Sequence, residues 1–175
     1  MRLERITDES HAMYPAALAL YRASFPAHEL RESASQARIL HDPAYHFNLA
    51  YDGDSFVGLA LCWEREEYIY VEHLCIQPQL RGRAYGSAVL SRLAEAGKYV
   101  ILEIDPPVDD ISIRRQGFYE RNGFVVNPYA HIHPPYHAGK QGHDLVVMSR
   151  PAVLTQAEYD RFARYLAGHI MKDAY

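Results

Sequence analysis

The feature that most limits how this chain can fold lies between Tyr70 and Ala96, where an apolar strand runs into a turn of small and cationic residues and then into a helix. The strand reads Tyr70-Val71-Glu72-His73-Leu74-Cys75-Ile76. The turn ends in Arg81-Gly82-Arg83-Ala84-Tyr85-Gly86, and the helix continues from Ser87 to Ala96. A helix start leaves main-chain N–H groups without intrahelical partners and carries the positive end of the macrodipole. A turn lined by Gly and Ala lets phosphate oxygens approach those groups, which makes this stretch a candidate anion cradle. Gly-rich turns before helices also serve dinucleotides and nucleoside triphosphates, and glycines there can serve packing alone, so other features must separate these readings.

With 175 residues, 49% of them apolar, the chain fits a single domain over 1–175 with a substantial core. A formal net charge of −4 with scattered basic residues offers no field for a nucleic-acid backbone, so no nucleic-acid partner is expected. Cys62 and Cys75 are too few for a disulfide framework, and the hairpin register expected between their strands does not set them opposite each other; both read as reduced, buried hydrophobes. Met1 to Ile6 lacks the apolar core of a signal peptide and no apolar run is long enough to cross a bilayer, so no membrane partner and a cytoplasmic location are expected.

Taken in order, Met1 to Ile6 alternates like an edge strand. Thr7-Asp8-Glu9-Ser10 offers helix-start chemistry before Tyr14, Leu18 and Tyr21. Ser24-Phe25-Pro26 breaks that helix, and a short second one starts near Ser33 or Ser35 and ends before His41-Asp42-Pro43. Tyr45 to Tyr51 and Phe56 to Trp63 read as strands around the turn Asp52-Gly53-Asp54, with Gly58 at a possible bulge, and join the strand from Tyr70 in an antiparallel meander. After the glycine stop at Gly97, Tyr99 to Ile104 is nearly continuously apolar, which predicts a strand buried on both faces and parallel to the one from Tyr70 across the intervening helix. Asp109 or Asp110 caps a helix ending at Asn122-Gly123. Phe124 to Tyr129 and Asp144 to Ser149 read as a late hairpin around a long loop, Ala130 to His143, with four histidines. Thr155-Gln156-Ala157-Glu158 is a capping-box pattern that opens a last helix, with Tyr159, Phe162, Ala163, Leu166 and Ile170 on one stripe. That stripe covers the domain's own sheet or forms a homodimer contact.

Three of these segments carry a resemblance. Arg81-Gly82-Arg83-Ala84-Tyr85-Gly86 resembles the Arg/Gln-x-x-Gly-x-Gly/Ala signature of the GNAT family of N-acetyltransferases, whose turn holds the pyrophosphate of acetyl-coenzyme A. Ala84 stands where that family usually has glycine; alanine keeps its N–H and adds only a methyl, so the cradle survives if Ala84 has negative φ. Phe118-Tyr119-Glu120-Arg121-Asn122-Gly123-Phe124 is similar to the family's Phe-Tyr-x-x-x-Gly-Phe segment, which implies that Tyr119 lies near the coenzyme sulfur as the general acid for the departing thiolate. Ser112 occupies about the place of an asparagine often found near the start of that helix. The late hairpin is the third feature.

The resemblance implies an α/β (α+β) fold: a mixed, mostly antiparallel central sheet of about seven strands, two central parallel strands splayed apart, helices on its flanks, and a C-terminal helical extension over 151–175. It implies that main-chain groups of Leu74, Cys75 and Ile76 hold the pantetheine arm, that Arg81, Gly82, Arg83, Ala84, Tyr85, Gly86 and Ser87 hold the phosphates, and that Ser112 and Tyr119 contact the cofactor. The connection carrying His28, Glu29 and Arg31, and the late loop with Tyr129, His131, His133, Tyr136 and His137, are then the acceptor-site candidates.

Acetyl transfer to an amine needs a deprotonated nucleophile beside a positioned thioester. Glu72, on the cofactor-bearing strand, is the candidate base; its plainer alternative is a charged cross-strand partner of Arg or Lys. His73 faces the opposite side if the strand is regular, although a bulge would change that. Glu103, His133 and His137 are further candidates. A His-x-His pair can place two imidazoles on one ion, yet no carboxylate or cysteine ligand accompanies the loop histidines and no metal is expected. The sequence thus points to an acetyl-coenzyme A-dependent N-acetyltransferase acting on a small primary amine in a ternary complex. A noncatalytic acyl-coenzyme A sensor, or a metal-dependent hydrolase or binding module built on the histidine loop, are the readings from other classes.

Overall fold

A computed structural model describes residues 1–175. Strand β1 (Arg2–Ile6) pairs antiparallel with β2 (Tyr45–Asp52), and β2 continues through β3 (Ser55–Glu64) into β4 (Tyr68–Ile76) as the expected meander. Between β1 and β2 stand α1 (Tyr14–Ser24) and α2 (Ser33–Ile39), joined by a 3-10 turn over Ala27–Glu29. α1 starts later than Thr7 to Ser10 implied: Pro15 occupies its first turn and no side chain caps it. Helix α3 (Tyr85–Ala94) crosses to β5 (Tyr99–Ile104), which pairs parallel with β4; α4 (Asp110–Arg121) follows. β8 (His143–Arg150) lies antiparallel beside β5, and its other edge takes β6 (Val125–Val126) and then β7 (His131–His133) in succession. Eight strands thus form one mostly antiparallel sheet with a single parallel pair. β7 corrects the sequence reading, because His131 to His133 belong to the sheet and only the residues between His133 and His143 form the loop.

Helices cover both faces. On one, α1 and the final helix α5 (Gln156–Tyr165), prolonged by a π-helical turn over Leu166–Ile170, bury Tyr21, Phe162, Leu166 and Ile170 against Phe47, Leu61, Trp63 and Tyr70. The apolar stripe of the last helix is therefore spent on the chain's own core. On the other face α3 and α4 pack Val89, Leu90 and Phe118 against Cys62, Val71, Val100 and Leu102. Thr155 and Glu158 form the capping box expected of α5. Cys62 and Cys75 are free and buried, and the β3–β4 register sets Cys62 opposite Val71 and Cys75 opposite Leu59.

Two irregularities in the meander shape its centre. Opposite the register shift at Ala50/Tyr51 sits Gly58, where a Cβ would lie 2.2 Å from the Cys75 carbonyl oxygen; only glycine allows β3 and β4 to approach this closely. In β4 the register steps from Cys62 opposite Val71 to Leu61 opposite His73, which leaves Glu72 as an extra, bulged residue. Tyr70 and Cys75 consequently belong to one core layer, whereas Leu74 and Ile76 pack on the other.

Candidate active site

The parallel pairing of β4 with β5 runs only from Tyr68 opposite Tyr99 to Val71 opposite Leu102. Beyond it the strands part, and a cleft of about 990 Å³ occupies the gap. At one end the cleft is lined by Arg81, Gly82 and Gly86 with Phe118 and Tyr119 of α4; at the other by His28, Glu29, His133, Tyr136 and His143; and between them by the strands themselves. The bulge explains this arrangement. By doubling residues on one side of β4 it turns both Glu72 and His73 toward the acceptor end, against the expectation for a regular strand that they face opposite ways.

At the α3 end the turn is exposed from Arg81 to Ala84. No main-chain carbonyl accepts from the N–H groups of Gly82, Arg83 or Ala84, and those in the first turn of α3 are unpaired as at any helix start. Gly82 has φ +77°, with nothing within 4 Å of where a Cβ would stand. Ala84 is also left-handed, at φ 59°, so the negative φ on which the sequence reading made the cradle depend is not met. The turn keeps its donors but holds an alanine where the backbone favours glycine. Gly86 supports the site from below, since a Cβ there would lie 3.1 Å from the Phe118 ring. The Tyr85 hydroxyl turns away to Asp52, and Arg81 Nε donates to the Ile76 carbonyl at 3.2 Å. Leu74, Cys75 and Ile76 line the cleft along the unpaired edge of β4.

Tyr119 lines the cleft with its ring between Phe118 and Phe124, and its surroundings raise the phenol pKa by burial. Ser112 is elsewhere. Its hydroxyl closes the capping box of α4 with Asp109, accepting from Val108 N and Asp109 N at 3.1 Å, and it does not line the cleft.

Glu72 is already bound within the chain. Its side chain and that of Arg31 are each 1% exposed, and they pair at 2.9 Å. Oε1 also accepts from the Tyr136 hydroxyl at 3.0 Å and Oε2 from the Trp63 indole at 2.7 Å. Burial works to raise this carboxyl, but Arg31 with the other donors outweighs it and holds the group below its ordinary range. A carboxylate so placed is a poor proton acceptor and a strong structural tie, because Arg31 in turn donates to the Ile170 carbonyl at 2.8 Å and fastens the C-terminal segment.

The remaining acceptor candidates separate. Tyr129 stacks on Tyr159 and donates to the Leu154 carbonyl at 2.7 Å, away from the cleft. His137 bonds the Ala27 carbonyl at 2.8 Å beside a smaller adjoining cavity of about 200 Å³. His131 is buried behind the cleft wall between the Tyr159 hydroxyl and the Glu103 carboxylate. His28, Glu29, His133 and Tyr136 do line the cleft. Glu29 has its carboxyl pKa raised, by burial first and by Asp105 second. Glu103, the first residue of β5 past the last parallel pair, accepts from Tyr70 and His131; burial would raise its pKa, and His133 with these donors lowers it. His73 is neutral well below its usual range, its pKa pressed by burial to about 4. The sequence reading missed His73, Trp63, His143 and the pair Arg114 and Arg115, all but Trp63 of which line the cleft. No group of three or more His, Cys, Asp or Glu could hold a metal ion, and no helix is long and apolar enough to cross a membrane.

The gap between two parallel strands, with a glycine-bearing helix start at its mouth, defines a class. The Acetyltransferase (GNAT) family model matches residues 10–124, and the chain belongs to that family. Among solved structures, a GNAT-family protein from Bacteroides thetaiotaomicron superposes with a TM-score of 0.91 at 28% identity, covering 98% of each chain. A Bacillus subtilis acetyltransferase solved in complex with coenzyme A shares the fold at 14% identity and a TM-score of 0.57, covering 85% of this chain and 96% of its own. The protein YjbC of Bacillus subtilis (strain 168) is 22% identical over 102 residues, 57% of this chain; the match spans about half of that relative, 52%.

Proposed function

We propose that the protein is an acetyl-coenzyme A-dependent N-acetyltransferase that acylates the primary amine of a small molecule by direct attack within a ternary complex. The observation that carries this reading is the through-going cleft, with unpaired N–H donors at the α3 mouth and a polar wall at the other, meeting where β4 and β5 part. Fold neighbours solved with coenzyme A and, from Elizabethkingia anophelis, with acetyl-coenzyme A support the same cosubstrate. The donors of Gly82 to Ser87 suit a diphosphate, and the bare edge at Leu74 to Ile76 suits an amide-bearing arm. Bound there, the coenzyme supplies an activated acetyl group.

The chain's part is to place an amine against that group and move protons. Glu29, half-buried and without a strong cation beside it, offers a site for an ammonium group. Tyr119, kept protonated by its surroundings, suits the donation of a proton to the departing sulfur. The open acceptor end speaks against a sensor without acceptor chemistry. Two free cysteines suit a reducing compartment, and we place the reaction in the cytoplasm.

Calorimetry with acetyl-coenzyme A tests the cradle. Micromolar or tighter binding is expected, and Gly82→Glu, which sets a carboxylate among the phosphate donors, is expected to remove it while the protein stays folded. A side chain at Gly82 meets no neighbour but must accept the left-handed φ of +77°, whereas one at Gly86 would push on Phe118, so the fold of the variant is checked by circular dichroism. Equal binding by wild type and variant refutes the cradle. Thiol release across an amine panel tests the transfer.

A further inference from the structure

His133 is 3% exposed and lies in the wall of the cleft on β7. Its Nδ1 stands 2.6 Å from the Pro134 carbonyl oxygen. A carbonyl only accepts, so Nδ1 carries the ring proton and the neutral imidazole leaves Nε2 with a free lone pair. That nitrogen is buried, has no hydrogen-bond partner, and sits 3.7 Å from Glu103 Oε2.

Resting on the acetyltransferase reading, we propose that His133 Nε2 is the general base that takes the proton of the amine, and that Glu103 positions it and stabilises the imidazolium formed. Glu29 is the site for the ammonium group, with only His28 in ion-pair range of its carboxylate, at 3.7 Å; three other buried candidates are engaged. Glu72 accepts from Arg31, Tyr136 and Trp63. Glu103 accepts from Tyr70 and His131. His73 Nε2 faces the Glu29 carbonyl at 3.0 Å and so carries a proton there. The groups facing His133 from the elements around it are Glu103 on β5, Tyr70 and His73 on β4, His131 on its own strand, His143 opposite it on β8, and Tyr136, whose ring stacks on it at 5.0 Å. Glu103 is the one carboxylate in direct reach. Tyr70 and His131 hold it from behind, so it remains ionised when Nε2 is charged.

In the step, an ammonium substrate gives one proton to Nε2, which frees the nitrogen lone pair. That pair forms a C–N bond to the thioester carbonyl carbon while the C–S bond breaks and its electrons leave on sulfur. The sulfur takes a proton from Tyr119, and the second nitrogen proton restores the phenol through water. Nε2 then gives up its proton to water that re-enters the cleft as the amide leaves, so the net reaction yields amide, thiol and one proton.

Nitrogen-15 NMR of the imidazoles in the unaltered protein is the first test: the neutral ring of His133 is expected with hydrogen on Nδ1 and a bare Nε2, and hydrogen on Nε2 of the neutral ring would overturn the proposal. The second is steady-state kinetics of His133→Gln. A fall in kcat of about 10²-fold or more is expected with unchanged acetyl-coenzyme A affinity, and a rate that keeps climbing with pH as free amine accumulates where the wild type has levelled off. Glu103→Gln should lower kcat less and displace the same pH profile. A kcat within twofold of wild type, or a lower rate with an unchanged pH profile, would overturn it. Absence of thiol release from the unaltered protein with every amine brings down the acetyltransferase reading itself and the proton step with it, a result distinct from an active enzyme indifferent to His133.

Discussion

Ala84 carries a methyl group in the left-handed backbone region, the only residue other than glycine to do so, and stands where α3 begins. Such a conformation costs an alanine about 1 kcal/mol relative to glycine. Ala84→Gly is therefore expected to stabilise the fold by about 1 kcal/mol in urea denaturation while the main-chain donors, and so coenzyme affinity, stay as they were. Tyr119→Phe is the complementary change in chemistry: it removes only the hydroxyl of a residue that lines the cleft, and kcat is expected to fall at least tenfold with coenzyme affinity retained. An unchanged rate removes the phenol as acid. The placement of the turn and of Tyr119 along the cleft was legible in the sequence because both patterns are local. The turn is six contiguous residues, and Tyr119 sits between Phe118 and the Gly123-Phe124 stop. The Ala84 φ and the fate of Glu72 were not legible. Arg31 and Glu72 are 41 residues apart, and nothing in either neighbourhood names the other. Ser112 was misjudged for the opposite reason, since its spacing from Asp109 is itself a capping box and reads as structure once that pattern is sought.

At the level of elements, the meander, the strand–helix–strand crossover and the capped final helix all followed from periodicity and punctuation. The irregularity at Gly58 was marked by its glycine, but the bulge at Glu72 was not, because a register shift without a glycine leaves no compositional mark. The bulge at Glu72 matters most, as it brings His73 into the cleft and sends Leu74 and Ile76 to the α3 side. β7 escaped notice for another reason: three residues followed by two prolines look like loop until β8 offers an edge to pair with. Gly58→Ala tests how tightly β3 and β4 are drawn together. A Cβ placed 2.2 Å from the Cys75 carbonyl must force the strands apart, and a loss of about 2–3 kcal/mol is expected in urea denaturation. A neutral result would show that the bulge yields.

For the molecule as a whole, buried ionisable groups set the response to acid. His73 has its pKa lowered from 6.5 to about 4 in the fold. Its contribution is complete above 6.5, and as pH falls below that value the unfolded chain takes up a proton that the folded one refuses. Stability should then decline by about 3 kcal/mol on the way to pH 4. Glu72 and Glu103 act in the same direction lower down, since their folded values lie below 4.5 and their contribution is lost as pH drops beneath it. Urea denaturation across this range should show a fall beginning near 6.5 and steepening below 4.5; a level profile between neutral pH and 4.5 would contradict the buried, neutral His73. The short parallel pairing has a mechanical consequence at the same scale. Only four residue pairs hinge β1 to β4 against the other strands, with the Phe162 ring bridging Tyr68 and Tyr70 on one shell of this bivalve to His131 on the other. A ligand lying lengthwise in the opening grips both shells at once. At a hundred times its dissociation constant it adds about 2.7 kcal/mol to the closed form, so the tenant does much of the fastening that the sheet itself forgoes.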